Sequence, residues 1–203
     1  NDPSGVVLNL NNGDFVGNTI TLDPSTSADR DVVYFAFQFY ATSPNTTLNG
    51  LQLDFSLYNN NGSLVAPGVY EPLDLIYTSS LFNFSDVYPS LPSGGNGSIV
   101  FNTADFGLSG ITVPDQFTWT LSISGLADGD QFGLVAFDPP TVGYDANYYW
   151  QNVAGNWETH TNSFPGANSF GVLVEAVPEP GTLSLAAFGG AALLAAIKRR
   201  QTK

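Results

Sequence analysis

Phe117-Thr118-Trp119-Thr120-Leu121-Ser122-Ile123-Ser124 sets four large apolar side chains against four hydroxyls with a strict period of two. Only a strand turns alternate residues to opposite faces, so this stretch predicts a strand with one greasy and one wet side. Leu51–Tyr58 repeats the pattern, with Leu51, Leu53, Phe55 and Leu57 opposed to Gln52, Asp54, Ser56 and Tyr58. Val32–Tyr40 also alternates, but both of its faces are apolar or aromatic, which predicts a central strand. Val6–Leu10, Phe15–Leu22, Val69–Tyr77, Ser98–Phe101, Phe132–Phe137 and Ser169–Glu175 are further strand candidates. Turn signals divide them: Asn11-Asn12-Gly13-Asp14, Asn59–Gly62, Pro92–Gly97, Asp128-Gly129-Asp130 and Pro139-Pro140.

No helical period is sustained before residue 181. Many short strands between Gly, Asn and Pro turns predict an all-β fold, an antiparallel β-sandwich of jelly-roll or immunoglobulin-like outline. Its expected core is Phe35, Phe37, Leu53, Phe55, Leu57, Trp119, Leu121, Phe132, Leu134 and Val172. Ser79–Gly97 reads as a long surface loop.

Charge divides the chain. Four of its five Lys/Arg residues are Lys198, Arg199, Arg200 and Lys203, and Arg30 stands alone against the seventeen Asp/Glu that precede Pro178. So acidic a surface repels nucleic acid and other anionic polymers. With no cysteine, thiol chemistry and cysteine-held metals are excluded, and one histidine, His160, rules out a poly-His site. A domain of residues 1–176 is large enough for a substantial core without disulfides.

The basic cluster follows an uncharged apolar run, Gly181–Ile197. As a helix it would reach about 25 Å, a little short of a ~30 Å hydrocarbon core, and Lys198 and Arg199 can snorkel across the difference. A buried core helix is the alternative for so short a run, but every face here is apolar. The expected organisation is an exported β-domain (1–176), a joint (177–180), a transmembrane helix (181–197) and a cytoplasmic tail (198–203) whose Lys198, Arg199 and Arg200 stop transfer. That makes a single-pass inner-membrane protein with its β-domain on the periplasmic or extracellular side. Asn1-Asp2-Pro3 opens in polar sequence and reads as a mature N-terminus. Ala186 with Gly190, and Ala187 with Ala191, form small-residue strips where another helix could pack.

Val177-Pro178-Glu179-Pro180, the short Ala/Gly/Leu-rich run and the closing Lys-Arg-Arg together resemble the PEP-CTERM sorting signal of Gram-negative and related bacteria. The resemblance covers Val177–Lys203. It implies export by a signal peptide, retention in the inner membrane and an exosortase that acts at Pro-Glu-Pro. It also implies an association with exopolysaccharide and matrix.

Tyr144, Tyr148, Tyr149, Trp150 and Trp157 crowd together, interleaved with Asp145, Asn147, Gln151, Asn152 and Asn156. Three readings stand: an aromatic corner closing one end of the sandwich, a protein interface, or a sugar site where rings stack on CH faces. Asp128 and Asp130 could offer hard oxygens to calcium, although Asp-Gly-Asp is also an ordinary turn. Catalysis has little to stand on, because a triad would need His160, which reads as lying in an exposed loop without a Gly-x-Ser-x-Gly turn. The expectation is a non-enzyme without cofactor. Its partners are the membrane, an exosortase, subunits of a membrane complex, or matrix polysaccharide.

Overall fold

The computed structural model describes residues 7–23, 29–44, 47–87, 97–102, 108, 110–137, 144–145, 148–161 and 169–178. The elements are strands apart from one helical turn, α1 (Phe84–Val87). In chain order the strands are β1 (Val7–Leu10), β2 (Phe15–Thr21), β3 (Arg30–Thr42), β4 (Gln52–Asn59), β5 (Leu64–Ala66), β6 (Val69–Tyr70), β7 (Leu75–Thr78), β8 (Phe82–Asn83) and β9 (Gly97–Asn102). There follow β10 (Ile111–Val113), β11 (Gln116–Ser124), β12 (Gln131–Phe137), β13 (Tyr144–Asp145), β14 (Tyr149–Val153), β15 (Asn156–His160), β16 (Ser169–Phe170) and β17 (Val172–Pro178).

Every strand pairing is antiparallel, and the strands form a seven-stranded sheet, an eight-stranded sheet and the small hairpin β5–β6. The eight-stranded sheet runs β15-β14-β2-β11-β4-β7, with β13 added to β2 and β8 to β4. The other sheet is organised by β3, whose 13 residues serve two strands on each edge. Arg30–Val32 hold β10 and β17 at once, while Phe39–Ala41 hold β9 and β12. Because β9 and β17 both meet Ala36 and Phe37, they lie on opposite edges of β3. Thus β17 and β12 share one edge, and β10 and β9 the other. Val32–Tyr40, expected to be central, is central.

A bulge reverses the facing within that stretch. Glu175 is opposite Tyr34 and Ala176 is opposite Val32, so Val33 is the extra residue on β3. An extra residue reverses which side chains point inward. Beyond it Phe35, Phe37, Phe39 and Ala41 are buried; before it the buried residues are Arg30 and Val32, while Val33 is 55% exposed.

The core lies between the two sheets and is built of rings. Phe35 meets Phe55 at 4.5 Å and Trp119 at 5.8 Å between centroids, and Phe39 meets Phe84 at 5.1 Å. Nine of the ten expected core residues are buried, and Val172 packs half-buried against them. Arg30 reaches Asp115, in the connection from β10 to β11, at 2.8 Å.

Three expectations change. Val69–Tyr77 divides into β6 and β7, since Pro72 has no N–H to continue a ladder. Ser79–Gly97 is not simply loop: it contributes β8 and α1, and Phe84 is fully buried. His160 is not in a loop but ends β15, opposite Tyr149.

Candidate functional site

Alternation in β4 and β11 gives the eight-stranded sheet a second face, turned away from the core. The hydroxyls expected to be wet are not all wet: Thr118 and Thr120 are completely buried. The hairpin β14–β15 supplies part of their cover. Trp150 lies opposite Gly17 of β2, and its ring is also fully buried. Gly17 is also where β2 comes closest to β11, because a Cβ there would fall 2.0 Å from the Trp119 carbonyl oxygen.

Burying an indole N–H and three hydroxyls requires partners. Trp150 Nε1 donates to Thr19 Oγ1 at 3.0 Å, Thr19 and Thr118 share a hydrogen bond of 2.9 Å, and Thr118 donates to Asn60 Oδ1 at 2.6 Å. A hydroxyl has one proton. Since that of Thr118 goes to Asn60, Thr19 must be the donor in the shared bond, and the relay runs one way from Trp150 to Asn60. Beside it, Ser56 donates to Thr78 at 2.9 Å and Thr78 to Asp54 at 2.9 Å.

Around the relay stands an aromatic group. Trp157 packs on Phe15 at 4.9 Å and edge-on to Tyr58 at 5.9 Å, and it also meets Trp150 at 6.5 Å. Tyr148 stands edge-on to Trp150 at 5.5 Å. Burial is the main influence holding the Tyr58 phenol above its ordinary 10.0; Asp54 adds to it and a hydrogen bond with Ser56 opposes it. A shallow cleft of about 190 Å³ opens next to this group, lined by Thr19, Thr21, Gln116, Tyr148 and the β5–β6 turn at Pro67-Gly68-Val69. Gln116 Nε2 donates to Thr21 Oγ1 at 3.2 Å along its wall.

Of the five aromatics singled out by sequence, Tyr148, Trp150 and Trp157 therefore meet on the outward face. Tyr149 points the other way, stacked on His160 at 5.4 Å and packed against Phe170. Tyr144 lies in β13 opposite Thr21. Trp150, being fully buried, offers no ring face to a ligand; Tyr148 and Trp157 are partly open. The relay residues Thr19, Thr118 and Asn60 were missed, because a hydroxyl on a strand's polar side looks the same in sequence whether it is covered or wet.

His160 Nε2 lies 3.8 Å from Glu158 Oε2, too far for a hydrogen bond. Asp128 and Asp130 sit in the turn between β11 and β12, where Asp130 N bonds Ala127 O at 3.1 Å and Gly129 has φ +87°. Among the described residues no three His, Cys, Asp or Glu side chains gather in a way that could hold a metal ion.

Val177 and Pro178 are the last two residues of β17, opposite Asp31 and Arg30. Glu179 and everything after it, including Lys198, Arg199 and Arg200, lie outside the described residues. Among those that are described, no helix is long and apolar enough to cross a membrane. Residues 176–200 match the family model of the PEP-CTERM protein-sorting motif. The chain carries a PEP-CTERM tail. Such a tail marks an envelope protein, membrane-anchored or secreted, and implies an exosortase as its processing partner. No curated protein and no solved structure matches the chain.

Proposed function

We propose that this PEP-CTERM protein is a non-enzymatic component of the bacterial envelope with a structural or adhesive role. Its two sheets form a β-sandwich head, held outside the cytoplasmic membrane by Gly181–Ile197 with Lys198–Lys203 inside. An exosortase receives it through Val177-Pro178-Glu179-Pro180. The observation that carries this reading is the sorting motif at residues 176–200, which begins within the last strand of the head. Support for a non-catalytic role comes from the outward face, where the buried hydroxyls of Thr19 and Thr118 are already bonded to each other and to Asn60. The charge pattern supports the orientation, since cations behind an apolar run favour the cytoplasm.

Intact mass of the protein from cells with and without their exosortase tests the proposal. Loss of everything after about Pro180, only when the enzyme is present, is the expected result. A full-length chain in both strains counts against sorting and favours an accessory subunit that keeps its helix.

A second reading is favoured by the cleft beside Tyr148. Its walls offer the Thr21 hydroxyl, the Gln116 amide and the Tyr148 ring without a charged group, which suits an uncharged polysaccharide. Binding on a glycan array that is lost in Tyr148→Ala would promote it.

A further inference from the structure

We propose that one end of the head rests in the lipid headgroup layer, through the apolar segment between β4 and β7. This rests on the reading of Gly181–Ile197 as a membrane span.

Strand registers place the segment and the tail at the same end. Pro178, where the tail departs, is opposite Arg30, and Val113 of β10 is opposite Arg30 on the other edge. Two residues further, Asp115 O accepts from Leu22 N at 2.8 Å, and Gln116 opens β11 opposite Thr21. Phe117 is opposite Asn59, the last residue of β4. The chain from Asn60 to Asp74 therefore leaves and returns at the end of the molecule from which the tail emerges.

That segment holds its apolar side chains outward on a fixed frame. Gly62 N bonds Glu71 O at 2.9 Å, Glu71 N bonds Ser63 O at 3.0 Å, and Leu73 N bonds Asn59 O at 3.0 Å. Asn61 and Asp74 bond each other twice, at 2.6 and 3.2 Å. Yet Leu64 is 59%, Leu73 61% and Leu75 52% exposed, and Val65, Tyr70 and Val177 are exposed too. Apolar side chains gathered at one end of an otherwise acidic head call for a covering surface.

Chain length identifies the cover. Only Glu179 and Pro180 separate Pro178 from the first residue of the apolar run. Three residue steps span about 11 Å at most. A headgroup layer is about 5–8 Å thick, taken from the difference between the whole bilayer and its core. A span already short of the hydrocarbon core draws this end closer still. Tyr70 beside leucines suits the interface, where a ring can be apolar on one side and wet on the other. Asp31, Glu71, Asp74 and Asp115 lie at the same end, and its one cation, Arg30, is buried against Asp115. The contact is therefore apolar, and anionic lipid weakens it.

The chain has no cysteine, so single nitroxide labels can be placed without background. Leu73→Cys, Leu64→Cys, Val153→Cys and Leu194→Cys are labelled in the full chain, reconstituted in phosphatidylcholine vesicles. Power saturation then compares access by oxygen with access by a water-soluble nickel chelate. Val153 lies at the far end, as the last residue of β14 before its turn, and is 44% exposed. The expected result is a several-fold higher oxygen-to-nickel ratio at Leu73 and Leu64 than at Val153, unchanged by salt. Water-like values at Leu73 and Leu64 with a lipid-like Leu194 overturn this inference and leave the span intact. A water-like Leu194 overturns both. Dipolar broadening between Leu73 labels puts a second copy of the chain on this surface and overturns the lipid contact.

Discussion

The indole nitrogen of Trp150 donates to the hydroxyl of Thr19 at 3.0 Å, across 131 residues of sequence and on the side of the sheet that faces away from the core. The bond fixes the Trp150 ring of the edge hairpin β14–β15 over the outward face of its sheet, and it starts a relay that ends at Asn60. Truncating Trp150 to alanine removes a fully buried ring and exposes Thr118 and Thr120. The expected loss is about 3–5 kcal/mol in chemical denaturation of the protein in detergent. Thr19→Val keeps the shape but strands the indole N–H and the Thr118 acceptor, at a cost of about 1–3 kcal/mol. A double variant, Thr19→Val with Trp150→Phe, should cost less than the sum, because each change removes the other's unpaired group.

Gly17, opposite Trp150, is the point where β2 packs tightest against β11. A Cβ would meet backbone, the Trp119 carbonyl oxygen, and also Thr120 Cγ2 at 2.8 Å. Neither neighbour can step aside without parting β2 from β11. Gly17→Ala should therefore destabilise the protein by about 1–3 kcal/mol as overpacking does, although alanine suits a strand better than glycine. Near-ultraviolet circular dichroism should report it, since the change bears on Trp119 and Trp150 together. A melting temperature at or above that of the parent would refute the close fit.

Period two made most of the fold legible. It identified β4 and β11 as half-greasy strands, and the structure pairs them from Gln52–Ser124 to Asn59–Phe117. It could not reveal the bulge at Val33, because a reversal of facing inside an all-apolar strand leaves no mark in the pattern. Nor could it reveal that the wet side of β11 is covered. Strands β14 and β15 alternate, but their turn is Ala154-Gly155 rather than Asn-Gly, and the crowded aromatics read as a corner closing one end of the sandwich, not as a cover over a sheet face. Tail and head are different kinds of signal. The sorting motif is local and can be read from residues 176–200 alone, whereas the Trp150–Asn60 relay exists only once four distant segments meet.

Ala154 is the one non-glycine residue with a left-handed backbone among the described residues, at φ 52°, and Gly155 follows at φ +90°. Two such residues in succession form the turn whose twist suits a two-residue hairpin. Asn152 Oδ1 accepts from Gly155 N at 2.9 Å and holds it closed. An alanine in this conformation carries a penalty of about 1 kcal/mol that asparagine or glycine avoids. Ala154→Asn should raise stability by about 0.5–1 kcal/mol. Thermal denaturation checks it, and the gain should vanish in a Trp150→Ala background if that variant has already released the hairpin.

Alkaline pH should unlock the aromatic face. Burial, with help from nearby carboxylates, raises the phenols of Tyr58, Tyr77 and Tyr149 above the ordinary 10.0. A raised folded-state value means that the folded protein keeps its proton when the unfolded chain begins to lose it. Their contribution is therefore whole below pH ~10 and declines as pH climbs from the unfolded value through the folded ones. Melting temperature should be indifferent to these three groups between pH 7 and about pH 9, then fall with a slope set by how many protons the folded state retains. Tyr58→Phe and Tyr149→Phe should each flatten that fall while leaving the neutral-pH melt nearly unchanged. The slope is the informative quantity, since Tyr58 sits against Trp157 on the outward face and Tyr149 against His160 between the sheets.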